Sequence, residues 1–70
     1  MNVVTPTELG KMIRDERKRL GVTQKEVALT AGTGLRFLIE LEKGKPTVQL
    51  GKTLHVLQTL GLRIQVDRSS

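Results

Sequence analysis

The sequence predicts an all-α domain of four helices followed by one short β-strand. Apolar residues recur at helical spacing between residues 6 and 60, and start and stop signals divide this stretch into four segments. After Gly61 the period changes to two, because Leu62, Ile64 and Val66 alternate with polar residues. We therefore expect a single domain over residues 1–66 and a disordered tail over residues 67–70.

The first helix has a full set of start signals. Thr5 is the predicted N-cap residue, Pro6 takes the first helical position, and Glu8 is placed to complete a capping box. Gly21 is predicted to end the helix, because glycine readily adopts the left-handed conformation found there. The apolar stripe of this helix consists of Leu9, Met12, Ile13 and Leu20.

Two shorter helices follow, joined by a turn that contains glycine. The second helix spans about residues 23–30 and has a capping box formed by Thr23 and Glu26, and the third spans about 34–43. We expect these helices to bury Val27, Ala28, Leu38 and Leu41. Such a pair over 23–43 is typical of a DNA-reading helix-turn-helix, but an αα-hairpin that binds no ligand has the same outline. The pattern alone leaves both interpretations open.

The fourth helix is expected to begin at Thr47 or Val48 and to end at Leu60. Its predicted inward face carries four leucines, Leu50, Leu54, Leu57 and Leu60. The strand after it, at 62–66, has no second strand of comparable length to pair with in this chain, and unpaired backbone groups are costly. We therefore expect Leu62, Ile64 and Val66 to pair with the same strand of a second subunit around a two-fold axis. A frayed tail is the alternative.

Composition narrows the classes of function. The net charge of +5 favours a polyanionic partner, although basic residues also serve solubility. Phe37 is the one aromatic residue, which argues against binding single strands by base stacking and favours a duplex. One histidine, no cysteine and serine only at the C-terminus leave no basis for a catalytic triad or a thiolate metal site. We expect no enzyme activity, cofactor or metal, and a cytoplasmic, nucleoid-associated protein without a membrane segment.

Several short motifs occur together in an order that is familiar from one protein family. They are Arg17, Gly21-Val22-Thr23-Gln24, Ala28, Gly32, Arg36-Phe37, the run from Leu41 to Thr47 and the step Gly61-Leu62. With these motifs, the stretch from residue 9 to 66 resembles the helix-turn-helix domains of the Cro and phage-repressor (XRE) type. Within that family it is similar to the HipB-like antitoxin branch.

The resemblance implies both a fold and a function. The implied fold is a compact four- to five-helix, lambda-repressor-like DNA-binding domain that dimerises through its short C-terminal β-strand. The implied function is a dimeric, sequence-specific transcriptional repressor that binds an inverted-repeat operator in double-stranded DNA. The antitoxin branch further implies a HipBA-like toxin–antitoxin operon, autoregulated by this protein, which would also neutralise a HipA-like kinase toxin. A phage-repressor-like regulator with no toxin partner is the alternative.

The resemblance also assigns roles to individual residues. The positions matching the base readers of the family are Leu35, Arg36, Ile39 and Glu40. The positions expected to contact DNA phosphates are Thr23, Gln24, Phe37, Lys43 and Lys45. Arg17 and Glu42 match a structural ion pair that fixes the third helix.

Some of these roles leave alternatives open. Arg36 is expected to bind guanine through two hydrogen bonds, and a phosphate contact is the other interpretation. Glu40 either accepts a hydrogen bond from cytosine or orients Arg36, which lies four residues earlier. Leu35 and Ile39 either contact thymine methyl groups or are partly packed. Phe37 is expected to be half-buried.

Overall fold

The computed structural model describes residues 3–68, and within them the chain forms four α-helices. These are α1 (Pro6–Leu20), α2 (Gln24–Ala31), α3 (Leu35–Glu42) and α4 (Leu50–Thr59). Helix α2 packs against both α3 and α4, and α1 packs against α3. The predicted all-α fold is confirmed, with four helices in the described part of the chain.

The helix ends follow the start and stop signals of the sequence. At α2 the N–H of Glu26 donates to the Thr23 hydroxyl (3.1 Å), and the N–H of Thr23 donates to the Glu26 carboxylate (2.9 Å). At α1 the N–H of Glu8 likewise donates to the Thr5 hydroxyl. However, the Glu8 carboxylate accepts from that hydroxyl and not from the backbone, so α1 has only half of the predicted capping box. Gly21 ends α1 in the left-handed conformation, as predicted.

All four helices, together with the first residue after α4, contribute to one hydrophobic core. Its buried apolar members are Ile13, Val27, Ala28, Ala31, Leu38, Leu41, Val56, Leu57 and Leu60. Thr53 of α4 is also buried, and its hydroxyl donates to the carbonyl oxygen of Gln49 (2.8 Å). This bond satisfies the polar atom that Thr53 brings into the core.

The predicted inward face of α4 is partly wrong. Leu50 is 67% exposed and Leu54 is 38% exposed, whereas Thr53 and Val56 are buried. The helix begins at Leu50, later than predicted, and its inward positions follow the i, i+3, i+4, i+7 spacing from Thr53. A threonine whose hydroxyl donates to a backbone carbonyl one turn earlier can occupy such a position. A prediction based on the leucine positions alone therefore gives the wrong inward face.

The predicted strand at 62–66 is also not formed, and within residues 3–68 the chain contains no β-strand. The N–H of Leu62 instead donates to the carbonyl oxygen of Leu57 (2.8 Å), and the Leu62 side chain packs against the core. Beyond it, Ile64 is 45% exposed and Val66 is 92% exposed. The described part of a single copy offers these residues no neighbouring strand to pair with. Of the predicted tail, residues 67 and 68 have no regular secondary structure, and residues 69 and 70 lie outside the described part.

Candidate nucleic-acid interface

The outward side of α3 carries the candidate interface. Burial of Leu38 and Leu41 fixes the orientation of α3, because the opposite side of an eight-residue helix then faces solvent. Arg36 and Lys43 are exposed on that side, and Ile39 and Glu40 are half-buried between them. These four side chains, with Gly44 and Lys45, line a shallow and open depression. Its shape suits an extended surface better than an enclosed small molecule.

A cluster of three side chains holds α3 against the other helices. Arg17 of α1 donates to both carboxylate oxygens of Glu42, from Nε (2.7 Å) and from Nη2 (3.2 Å). The Arg17 and Glu42 side chains are only 12% and 4% exposed. Arg17 also donates to the carbonyl oxygen of Val22 (3.0 Å), which ties α1 to the start of α2. The ion pair implied by the resemblance is therefore present in the structure.

Gln24 is the third member of this cluster, which the sequence did not indicate. Its Nε2 donates to Oε1 of Glu42 (3.0 Å), and the side chain is half-buried. The amide expected at a DNA phosphate thus has one of its N–H groups engaged within the protein. Thr23, the preceding residue, is exposed, and its hydroxyl accepts the capping hydrogen bond of α2.

Glu40 pairs with a different residue from the one the sequence suggested. Its carboxylate lies 3.2 Å from the Lys45 ammonium and forms no hydrogen bond to Arg36. Gly44 adopts a left-handed conformation (φ 86°), and the N–H of Lys45 donates to the backbone carbonyl of Glu40 (3.1 Å). The turn therefore brings Lys45 back beside Glu40. Among the ion pairs of residues 3–68, none involves Arg36, so its guanidinium is available to a partner.

Phe37 lies on a different side of α3 from the outward residues. It is half-buried, as expected, and packs against the core, with the Lys52 ammonium of α4 5.6 Å from the ring centroid. This distance is within the range of a cation–π contact. Sequence reasoning missed Lys52, and the available signal was weak, since Lys52 is merely the one lysine or arginine in α4.

Leu35 and Ile39 are neither deeply packed nor fully free. Leu35 is exposed at the first position of α3, and Ile39 is half-buried in the outward depression. Both can therefore contribute apolar surface to a partner that lies along α3.

A second shallow depression adjoins the first between α1, α3 and the start of α2. Arg14, Lys18, Gln24 and Lys43 line it, and the Arg17–Glu42 ion pair and Ile39 complete its lining. Sequence reasoning assigned no site role to Arg14 or Lys18. The signal that was available is their i, i+4 spacing, which places both on one face of α1.

Electrostatics at the start of α2 keep one carboxylate ionised. The N–H and hydroxyl of Thr23 hold the pKa of Glu26 below its ordinary value.

Within residues 3–68, no cluster of three acidic, histidine or cysteine side chains is arranged to hold a metal ion. No helix in this same range is long and apolar enough to cross a membrane.

The chain is similar to one curated protein and to several solved structures, while no model of a known protein family matches it. The uncharacterized HTH-type transcriptional regulator y4mF of Sinorhizobium fredii is 50% identical over 64 residues, which cover 91% of this chain and 84% of that protein. Chains in the structures of a HipA-HipB-O2-O3 complex and of a HipB-O4 20mer complex align with a TM-score of 0.89 and 23% identity. Each alignment covers 100% of this chain and 99% of the other. At that identity, the structural likeness establishes a shared fold.

Proposed function

This chain belongs to the HTH-type transcriptional regulators, and we propose that it is a sequence-specific repressor that binds duplex DNA as a homodimer. The observation that carries the proposal is the outward side of α3. It exposes Arg36, with Lys43 at the C-cap, on a helix whose position is fixed by the half-buried Arg17–Glu42 pair. An exposed, firmly held helix with a basic face is what entry into a major groove requires.

Base recognition is assigned to four residues of α3. In this proposal Arg36 binds guanine O6 and N7, and its position near the start of the helix and outside the described ion pairs supports this role. Leu35 and Ile39 supply apolar contacts for thymine methyl groups. Glu40 accepts a hydrogen bond from cytosine N4, with Lys45 holding its carboxylate in place at 3.2 Å.

Contacts to the DNA backbone are assigned mainly around α2 and the turn after α3. Thr23 and Gln24 lie at the N-terminus of α2, where the helix dipole favours an anion. Lys43 and Lys45 contact phosphates after the recognition helix. Of the residues that we assign to phosphate contacts, Phe37 has the least structural support, because its side chain packs towards α4.

Selection of bound duplexes from a random pool at defined salt tests specific binding directly. We expect enrichment of an inverted repeat whose half-sites lie about 34–36 Å apart on one face of the duplex. In titrations of the selected site, Arg36→Ala should relax the preference at one base position. Lys43→Ala should instead weaken all sequences alike. Equal affinity for every duplex would refute sequence-specific binding.

Dimerisation is assigned to the segment 62–66 of two copies. The exposure of Ile64 and Val66, which have no neighbouring strand in the described chain, supports this assignment. A variant with Ile64→Asp and Val66→Asp spares Leu62, which packs on the core. It should therefore remain folded but have the mass of a monomer by light scattering. A dimer mass that the two aspartates leave unchanged would contradict strand pairing.

We further propose that the protein is the antitoxin of a HipBA-like operon. The likeness to HipB chains, one of them in a complex with HipA, supports this role. The protein would repress its own operon in the cytoplasm and neutralise a HipA-like kinase. A regulator without a toxin partner is the second candidate, and the relative from Sinorhizobium fredii, described only as a transcriptional regulator, fits it equally. Co-purification with the product of an adjacent kinase-like reading frame would favour the antitoxin role, and a lone gene with no stable partner would favour the second candidate.

A further inference from the structure

Two cations of α1 form a charged surface that the proposed function does not yet use. Arg14 and Lys18 are both exposed and lie one helical turn apart on the same face. The ion pairs within residues 3–68 occupy Arg17, Arg19 and Lys45, so they leave the charges of Arg14 and Lys18 uncompensated.

These two cations lie beside the recognition helix. With Gln24 and Lys43 they line the depression between α1, α3 and the start of α2. The Arg17–Glu42 pair within this lining is internally neutral, since each charge has its partner at 2.7 Å. The depression therefore carries three positive charges, from Arg14, Lys18 and Lys43, that have no described acidic partner.

The dimensions of B-DNA indicate what would lie there. An α-helix with its side chains is about 10–12 Å across, and the major groove is about 12 Å wide. A helix that enters the groove therefore has phosphates of both strands close to its two flanks. The depression borders one flank of α3 through Ile39 and Lys43. The first turn of α2 adds backbone N–H groups and the positive end of a helix dipole.

We propose that Arg14 and Lys18 form a phosphate-binding site on α1 for one strand of the duplex whose major groove receives α3. The inference rests on the proposed DNA binding and extends the contacted surface from α2 and α3 to α1. The ligand is the phosphodiester backbone, so the contact adds affinity and orientation without base preference.

The test is the salt dependence of binding to one selected duplex, measured for the full chain. Each lost phosphate contact should reduce the slope of log affinity against log salt by about 0.9. When the salt concentration rises from 50 to 200 mM, the affinity of every variant falls. The factor by which it falls should be about 3.5 times smaller for Arg14→Gln or Lys18→Gln than for the wild type. Arg19→Gln is the matched control, because this substitution also removes one positive charge from the same end of α1. Arg19 follows Lys18 directly but is paired with Glu16 and lies outside the depression.

The outcomes separate this inference from the function on which it rests. Shallower slopes for Arg14→Gln and Lys18→Gln, with base preference unchanged and Arg19→Gln like the wild type, would support the α1 site. Equal slopes for all three variants would overturn it and leave DNA binding intact. A wild type that binds no duplex would overturn both. Both substituted side chains are exposed, and a thermal melt followed by circular dichroism checks that each variant is folded.

Discussion

Truncating Glu42 to alanine should destabilise this domain severely. The substitution removes both carboxylate oxygens that accept from the Arg17 guanidinium and leaves a cation that is only 12% exposed without its anionic partner. Breaking a buried ion pair in this way costs about 3–5 kcal/mol. At about 0.05–0.15 kcal/mol per residue, a 70-residue domain has a total free energy of unfolding of about 3.5–10 kcal/mol. The substitution should therefore remove about 30% or more of the free energy of unfolding.

Urea unfolding followed by circular dichroism measures this loss, and a double-mutant cycle assigns it to the pair. The cycle uses Arg17→Met and Glu42→Leu, each alone and both together, and the double variant replaces the two charges by apolar groups of similar size. The double variant should be more stable than Glu42→Ala, because neither charge is then left buried alone. Gln24→Ala is a control of intermediate size, since it removes one hydrogen bond to a charged group, about 1.5–3 kcal/mol.

Two results would refute this reasoning. One is a Glu42→Ala variant within about 1 kcal/mol of the wild type, which is the range of a surface ion pair. The other is a double variant that loses the sum of both single losses, which would mean that the two side chains do not interact energetically.

Five further substitutions test three other features of the structure. At Gly10 an added Cβ would lie 2.5 and 2.7 Å from carbonyl oxygens of α3, so Gly10→Ala should lose about 1–3 kcal/mol in urea unfolding. A Cβ added at Gly51 meets no atom within 4 Å, so Gly51→Ala should instead raise the free energy of unfolding by about 0.5–1 kcal/mol. Equal effects of the two substitutions would contradict the close approach of α1 to the end of α3 at Gly10. Leu57→Ala should cost about 2–5 kcal/mol, whereas Leu50→Ala should stay within about 0.5 kcal/mol; similar losses would refute the observed face of α4. Because hydrogen bonds lower the pKa of Glu26, its contribution to stability is present above the ordinary pKa of about 4.3 and is lost as the pH falls through the lowered value. Glu26→Gln keeps an acceptor but does not titrate, so its melting temperature should fall less steeply in acid, and parallel curves would contradict this role.

The helix boundaries were largely predictable because their signals are local. Thr5, Thr23 and Gly21 act on residues within one turn of themselves, so the sequence displays the cause and the effect side by side. The ion pair between Arg17 and Glu42 spans 25 positions, and only the resemblance to a family indicated it. Long-range partners depend on how the helices pack, which local patterns do not specify.

Two of the predictions that differ from the structure have the same origin. Glu40 has Arg36 one turn away on its own helix, which is the partner that local spacing suggests. The left-handed Gly44 instead returns Lys45 to it, within 3.2 Å. The inward face of α4 was misassigned because Thr53 satisfies its hydroxyl within the helix and can replace a leucine in the core. Both errors concern which of several chemically reasonable partners the tertiary structure supplies.

Helix α3 depends on the rest of the domain more than its exposed surface suggests. Eight residues are fewer than the roughly 12–15 that an isolated helix needs in water, and Gly34 supplies no side-chain cap. The helical state of α3 must therefore come from the burial of Leu38 and Leu41 and from the Arg17–Glu42 pair. Arg17 of α1, which we assign no base contact, thus controls where the proposed base readers lie. It follows that substitutions at Arg17 should reduce DNA affinity and stability together, whereas Arg36→Ala should reduce affinity for the specific site without reducing stability.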